Sequence, residues 1–286
     1  MKILVLGGNG MAGHIISNYL QSNLTNNVYY TLRIPSKDTR VVTLDLTDDK
    51  STYNCLKTIK PDIVINTAGI LNNDASERLK ESIYINSLLP HKLANYGEQL
   101  GFKLIHISTD CVFSGLKGNY VECDIKDGTS VYAITKNLGE VIDQKHLTIR
   151  TSIIGPELRK QGIGLFHWFM KQSGTIQGYQ EVFWNGVTTI ELAKAILWII
   201  QNNISGLVHL TGKNRISKYD LLLLFKEVFN RENIEISPNC NEKSDKTLVN
   251  TRSDFSYDVR DYKSMMIELK QWIERNHHLY SIYTIK

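Results

Sequence analysis

Lys2-Ile3-Leu4-Val5-Leu6-Gly7-Gly8-Asn9-Gly10-Met11-Ala12-Gly13, near the start of a chain of 286 residues, decides the fold. The run from Lys2 to Leu6 is apolar and partly β-branched, as suits a strand covered on both faces. It is too short for the apolar region of a secretory signal, and glycines follow at once. Those glycines, at G-x-x-G-x-x-G spacing, permit a tight turn and let backbone approach a pyrophosphate. The helix opening at Gly13 would aim its free N–H groups at that anion. Alone the pattern is weak; its place between a strand and a helix gives it force. Ile15, Ile16, Tyr19 and Leu20 then share one helical face.

Working outward, strands are expected over residues 28–32, 41–44, 62–66, 102–108 and 147–151. Helices are expected over 48–59, 76–100 and 131–144, with Pro61 stopping the first of these. Strands alternating with helices imply right-handed crossovers and a Rossmann-type doubly wound parallel sheet. After about residue 151 the regularity weakens. Helices over 164–172, 190–201, 219–229 and 263–276 and a strand over 206–210 remain, with no linker, repeat or low-complexity stretch. The division this suggests is an NAD(P)-binding domain over 1–150, receiving 180–212 as well, and a smaller α/β substrate-binding domain over most of 151–286.

Composition excludes several functions. Hydrophobic residues make up 42% and charged residues 22%, an ordinary globular balance. The net charge of +4 comes from scattered lysines and arginines rather than a basic stripe, so nucleic acid is not an expected partner. No apolar run reaches the roughly 18 residues of a membrane-spanning helix. Cys55, Cys111, Cys123 and Cys240 form no CxxC pair and no zinc spacing, which reads as free thiols in a cytoplasmic protein. No carboxylate or histidine cluster suggests a catalytic metal.

The remaining cofactor candidates fall where a doubly wound sheet binds ligands, at the carboxyl ends of its strands. Gly7, Asn9, Gly10 and Met11 would cradle the pyrophosphate. An acid about twenty residues further on would hold the ribose 2′-hydroxyl of NAD. Here that strand ends at Leu32-Arg33, and Arg33 suits the 2′-phosphate of NADP instead. Asp45 and Leu46 could meet the adenine. Thr67, Ala68 and Gly69 are small enough to let ribose and pyrophosphate lie against backbone.

Tyr132-Ala133-Ile134-Thr135-Lys136 carries the chemistry. Positions i and i+4 share a helix face, which brings an ammonium near a phenol. A tyrosine of ordinary pKa about 10 is a poor acid or base at neutrality, and a neighbouring cation would lower it. Lys136 could also donate to the nicotinamide ribose. Thr109, closing the strand that ends Ser108-Thr109-Asp110, would sit against a substrate carbonyl.

With glycine loop, threonine and Y-x-x-x-K in this order, the chain resembles the extended short-chain dehydrogenase/reductases. Ser108-Thr109-Asp110-Cys111-Val112-Phe113-Ser114-Gly115, Gly118-Asn119-Tyr120 and Tyr132-Ala133-Ile134-Thr135-Lys136-Asn137-Leu138-Gly139-Glu140 are similar to the dTDP-4-dehydrorhamnose reductase branch. The likeness spans nearly the whole chain. It implies NADPH-dependent reduction of the C4 ketone of a nucleotide-linked 4-keto-6-deoxyhexose (NADH being possible), first of all dTDP-4-dehydro-L-rhamnose to dTDP-L-rhamnose, for cell-surface polysaccharide precursors. It implies a catalytic set of Thr109, Tyr132 and Lys136. The branch usually has Gln where Met11 stands and an aromatic residue where Cys111 stands, and Ile70-Leu71-Asn72-Asn73 differs too. Related dehydratases place Asp-Glu after the threonine; a thiol is a poor base in that role, so Asp110-Cys111 disfavours elimination.

Other readings are a reductase of a UDP-N-acetyl-4-keto-6-deoxyhexose, a 4-epimerase with tightly held NAD, and a non-catalytic NADP-binding regulatory subunit. The last is the role of the β subunit of methionine adenosyltransferase, which resembles the same branch. Asp110, Val112 and Trp184 are candidate substrate contacts. Trp198, Trp272, His106 and His209 read as core. The oligomeric state is expected to be monomer or homodimer.

Overall fold

The computed structural model describes residues 1–24 and 27–283. β1 (Lys2–Leu6) passes through the glycine turn into α1 (Gly13–Asn23), and β2 (Asn27–Leu32), β3 (Val41–Thr43), α2 (Asp49–Ile59) and β4 (Ile63–Asn66) follow. Next come α3 (Asn72–Glu77), α4 (Leu79–Ser82), a π-helical stretch at Ile83–Leu88, α5 (Leu89–Leu100), β5 (Lys103–Thr109), α6 (Val131–Leu138) and β6 (Leu147–Thr151). The second half holds β7 (Ile153–Ile154), α7 (Leu165–Met170), β8 (Gly174–Trp184), β9 (Val187–Thr188) and α8 (Thr189–Asn202). β10 (Gly206–His209), β11 (Ile216–Ser217), α9 (Lys218–Val228), β12 (Ile234–Asp245) and α10 (Tyr262–Arg275) complete it.

The main sheet has the order β10-β6-β5-β4-β1-β2-β3, and all its pairings are parallel. A parallel sheet must be covered on both faces, and β1 shows how. Ile3 and Val5 join α1 and α8 in one core, while Leu4 and Leu6 join Leu56 of α2 and Leu89 and Leu93 of α5 in another. Burying each such side chain stabilises by roughly 1.5–3 kcal/mol. Chain order reverses between β1 and β4, so the ligand crevice of the Rossmann-type fold opens there, above Gly7 and Thr67. Among the described residues no helix is long and apolar enough to cross a membrane.

Three elements differ from expectation. The helix expected over 76–100 is interrupted, because Pro90 has no N–H for the carbonyl of Asn86 and the turns before it widen to π geometry. The helix expected over 131–144 stops at Leu138. There Gly139 lies so close to the Asn86 carbonyl that a Cβ would be 1.8 Å from its oxygen. Third, β8 and β12 pair in parallel and form, with β11, a separate three-stranded sheet. Their sequences carry little apolar alternation; β8 buries only Ile176, Gly178 and Trp184, and β12 only Ile234 and Ile236. Trp198 and Trp272 are half-buried and pack against the larger core.

Two buried histidines make the fold acid-sensitive. His14 bonds the Gly10 carbonyl at 2.7 Å and the Tyr280 hydroxyl at 2.8 Å, and burial lowers its pKa to about 4. His209, held by Val249 and Arg150, is likewise lowered by burial to about 4. The unfolded chain protonates both near the ordinary value of 6.5, the folded chain only near 4. Their contribution is therefore complete above pH 6.5 and is lost as pH falls toward 4. Urea-unfolding free energies measured across that window should fall with pH, and His14→Gln should flatten part of the slope; a pH-independent stability would contradict this.

Candidate active site

The glycine turn is closed by backbone and by its neighbours. Gly7, at φ +88°, donates its N–H to Thr31 Oγ1 at 3.1 Å, Gly8 donates to the Thr31 carbonyl at 3.0 Å, and Gly10 donates back to Gly7 at 2.9 Å. A Cβ on Gly13 would stand 2.2 Å from the Gly7 oxygen, so strand end and helix start are in direct contact. α1 has no side-chain cap and no acid in its first turn. Its positive end is left to an anion, and the glycines leave backbone bare beside it. The residues present thus fit a dinucleotide pyrophosphate.

Thr67 closes the other side of the crevice, its hydroxyl donating to the Leu6 carbonyl at 2.7 Å, with Ala68 and Gly69 following. Arg33 is exposed at the end of β2, and its charge helps hold the Asp45 carboxyl below the usual range, after two bonds from Thr47. One Asp45 oxygen is already taken by the Thr47 N–H and hydroxyl, at 2.9 and 2.8 Å. Leu46 is buried in the core under α2 and α5. Met11 leans from the loop toward Gly164.

Thr109 ends β5 and caps the short turn Asp110–Val112, its oxygen accepting from the Cys111 N–H at 3.1 Å. Ser130 caps α6 by accepting from the Ala133 N–H at 3.1 Å. That cap starts the helix so that its first turn places Tyr132 beside Thr109, whose hydroxyl favours the phenolate and itself donates to Asp110 Oδ1 at 3.1 Å. Burial is the largest influence on Tyr132 and raises its pKa above the ordinary value; Cys111 and Asp110 push the same way. The expected depression by Lys136 is therefore not what the structure shows. Lys136, only 3% exposed, instead donates to the Ile107 carbonyl at 2.7 Å and lies 3.2 Å from His106 Nε2. Burial lowers its pKa to about 8 against the attraction of Glu140.

Of the candidate substrate contacts, Asp110 is buried at the site, where burial raises its pKa against the pull of Lys246 and Lys218. The Val112 side chain is packed with Phe113, Tyr120 and Leu248 and its carbonyl accepts from Gly128, so it stabilises the turn. Trp184, expected between elements, is the last residue of β8, buried and 5.7 Å from the Tyr262 ring.

Lys218 was not legible beforehand. It opens α9, which Ser217 caps, and lays its ammonium 5.2 Å from the Trp184 ring centre. Burial lowers its pKa to about 8, opposed by Asp110 and Cys111, and among the described residues it donates no hydrogen bond. The Cys111 thiol is pushed up to about 11, chiefly by burial, so at neutral pH it is no base.

Behind the site Glu140 and Arg150 form a two-pronged pair at 2.7 Å for each bond, both side chains 1% exposed. Ser108 donates to Glu140 at 2.8 Å. The pair thus ties the segment just after α6 to β5 and β6, one residue from Thr109.

A glycine turn at the switch point and a hydroxyl, a phenol and an amine over the adjoining strand ends define a Rossmann-type oxidoreductase. Residues 1–283 match the family model described as RmlD substrate binding domain. The chain therefore belongs to the RmlD family of NAD(P)H-dependent oxidoreductases. It is 24% identical over 253 residues to a dTDP-4-dehydrorhamnose reductase of Aggregatibacter actinomycetemcomitans, covering 84% of this chain and 83% of that one. It is 22% identical over 251 residues to methionine adenosyltransferase 2 subunit beta of Bos taurus, covering 83% and 75%. A dTDP-4-dehydrorhamnose reductase of Bacillus anthracis, solved in complex with NADP, superposes with a TM-score of 0.79 at 19% identity, covering 96% of this chain and 99% of that one.

Proposed function

We infer that this protein reduces the C4 ketone of a nucleotide-linked 4-keto-6-deoxyhexose with NADPH, dTDP-4-dehydro-L-rhamnose being the first candidate, in the supply of cell-surface polysaccharide precursors. The observation that carries this is the placing of Thr109, at the carboxyl end of β5, beside the Tyr132 phenol at the start of α6. A carbonyl oxygen received between these two groups would be oriented by the Thr109 hydroxyl and protonated by the Tyr132 phenol. The raised pKa of Tyr132 keeps that proton in place until it is needed. Cys111, protonated at neutrality, removes nothing from the sugar, which favours reduction over elimination.

The reduced nicotinamide, when bound, supplies the hydride. The glycine turn and the uncapped start of α1 would hold its pyrophosphate, and Arg33 would meet a 2′-phosphate. Use of NADP by a relative of the same fold supports that choice. Lys136 would orient the cofactor's ribose beside Tyr132.

Lys218 and Trp184 would form the sugar side of the site, with Asp110 between them and Thr109. An ammonium with no acceptor among the described residues, held over an indole, is available to a sugar oxygen. A hydrogen bond from a charged group contributes about 1.5–3 kcal/mol. Lys218→Met should therefore lower kcat/KM for the nucleotide sugar by about 10–100-fold while leaving NADPH affinity unchanged. Steady-state kinetics beside a fluorescence titration of NADPH checks this; equal losses in both would remove Lys218 from the sugar site.

The reading is tested by following loss of the reduced-nicotinamide absorbance of NADPH with dTDP- and UDP-linked 4-keto-6-deoxy sugars generated in situ. Turnover on the dTDP sugar supports rhamnose chemistry, and turnover on the UDP N-acetyl sugar alone moves the assignment to that substrate. The likeness to methionine adenosyltransferase 2 subunit beta favours a second reading, a non-catalytic NADP-binding subunit. That reading expects NADP binding, no turnover on either sugar, and a co-purifying partner.

A further inference from the structure

The assignment of Lys136 to the cofactor, on which the following rests, leaves one buried group unused. His106 on β5 is 0% exposed and its ring lies between β4 and α6. Nδ1 is 3.2 Å from the Asn66 side-chain nitrogen, and Nε2 is 3.2 Å from Lys136 Nζ. The Asn66 amide cannot turn freely, because its Oδ1 accepts the Ala68 N–H at 3.1 Å. Its NH2 therefore points at His106.

The hydrogens of this chain can be assigned in one consistent way. A neutral imidazole has one N–H and one bare nitrogen. Asn66 donates to Nδ1, so the N–H is on Nε2, and Nε2–H aims at Lys136 Nζ. Nζ can accept there only with a lone pair, as an amine, while its own N–H goes to the Ile107 carbonyl at 2.7 Å. An ammonium would force Nε2 to accept and Nδ1 to carry hydrogen against the Asn66 NH2. Two donors would then face each other where no water reaches. Turning the amide only moves the clash to the Ala68 N–H.

We propose that His106 is a positioning residue for Lys136: locked by Asn66 as the Nε2–H tautomer, it donates to Lys136 Nζ and selects the amine form of the lysine in the ligand-free protein. The charged groups facing this pair agree. Glu140, just past the end of α6, favours the ammonium, but burial outweighs it and brings Lys136 to about 8. From α5, His91 adds only a small push on His106, which burial above all holds well below 6.5 and hence neutral. Above about pH 8, loading the site with a ligand that needs the ammonium would then draw up to one proton from solvent onto Nζ and break the His106 contact. In ordinary terms, cofactor binding is proton-linked through this residue.

Two spectroscopic measurements on the ligand-free protein test this without reference to turnover. The first is the ring nitrogen spectrum of 15N-histidine protein at about pH 9, above the Lys136 pKa of about 8, with His106 assigned through its backbone. The Nε2–H tautomer is expected; Nδ1–H or the doubly protonated ring overturns the proposal. The second follows the Lys136 side-chain carbon signal against pH in wild type and in His106→Leu. Removing a donor to the amine should raise the Lys136 pKa by about one unit. If His106 instead accepts from an ammonium, the pKa falls, and a fall or no change overturns the proposal. Should His106→Leu not fold, the tautomer measurement on the wild-type protein still decides. Failure of the reductase reading would show as absent turnover with both spectroscopic results intact.

Discussion

Tyr132→Phe is expected to lower turnover by about 10²-fold or more, the range of a single positioned general acid, while NADPH affinity stays nearly unchanged. The reason lies in what the side chain does. Its ring sits at the start of α6 and packs partly against the core under α5, contacts that phenylalanine keeps. Only the hydroxyl, which lies beside Thr109, is lost. Burial holds that hydroxyl protonated, so it can give a proton to a developing alkoxide but gains little from being removed in the resting protein. Single-turnover rates beside a binding titration separate the two effects. A variant that retained wild-type rates would remove Tyr132 from the chemistry.

Arg150→Met should produce the largest loss of stability. Glu140 and Arg150 are both 1% exposed, and burial alone would raise the Glu140 pKa. The two Arg150 bonds and charge outweigh it and hold the carboxylate ionised. Without Arg150 the charge keeps Ser108 at 2.8 Å and Lys126 at 3.3 Å, neither of which matches a guanidinium. Removing one partner of a buried pair typically costs about 3–5 kcal/mol. For a domain of this size that corresponds to a fall in Tm on the order of 10 °C. The double variant Glu140→Gln/Arg150→Met should recover much of the loss, because no buried charge then remains. Thermal unfolding of the three variants measures it; additive losses would show that the pair is not coupled.

The main sheet was legible because β1 and β4 are short, nearly continuous apolar runs, the pattern a parallel sheet covered on both faces imposes, and because glycines and Pro61 punctuate the chain. The glycine turn was legible from its spacing together with its place between a strand and a helix. The second sheet was not legible, since β8 and β12 each fully bury only two side chains and are largely polar elsewhere. The short reach of α6 could not be read either, as the Asn86 carbonyl that forbids a Cβ at Gly139 is far away in sequence.

The site divided in the same way. Thr109, Tyr132 and Lys136 were visible as a local order of motifs, and the fold brings them to neighbouring strand and helix ends. Lys218 was hidden because a lysine at a helix start reads as a solvated charge. Only the docking of α9 beside Trp184 turns it inward. His106 was read as core, and it is buried, but its link to Lys136 depends on Asn66 from another strand. Lys136 was expected to lower the Tyr132 pKa. In the ligand-free protein burial governs both groups, and the lysine bonds elsewhere.

The most direct test of the reductase reading is isotopic. The protein would be given NADPH deuterated at the reactive nicotinamide carbon together with dTDP-4-dehydro-L-rhamnose generated in situ, and the sugar product examined by mass spectrometry and NMR. The expected result is one deuterium at C4 of the product sugar, with an equal amount of NADPH consumed and both proceeding about 10²-fold or more slowly with Tyr132→Phe. Unlabelled product, or NADPH left intact beside unchanged keto sugars of both the dTDP and UDP series, would contradict it.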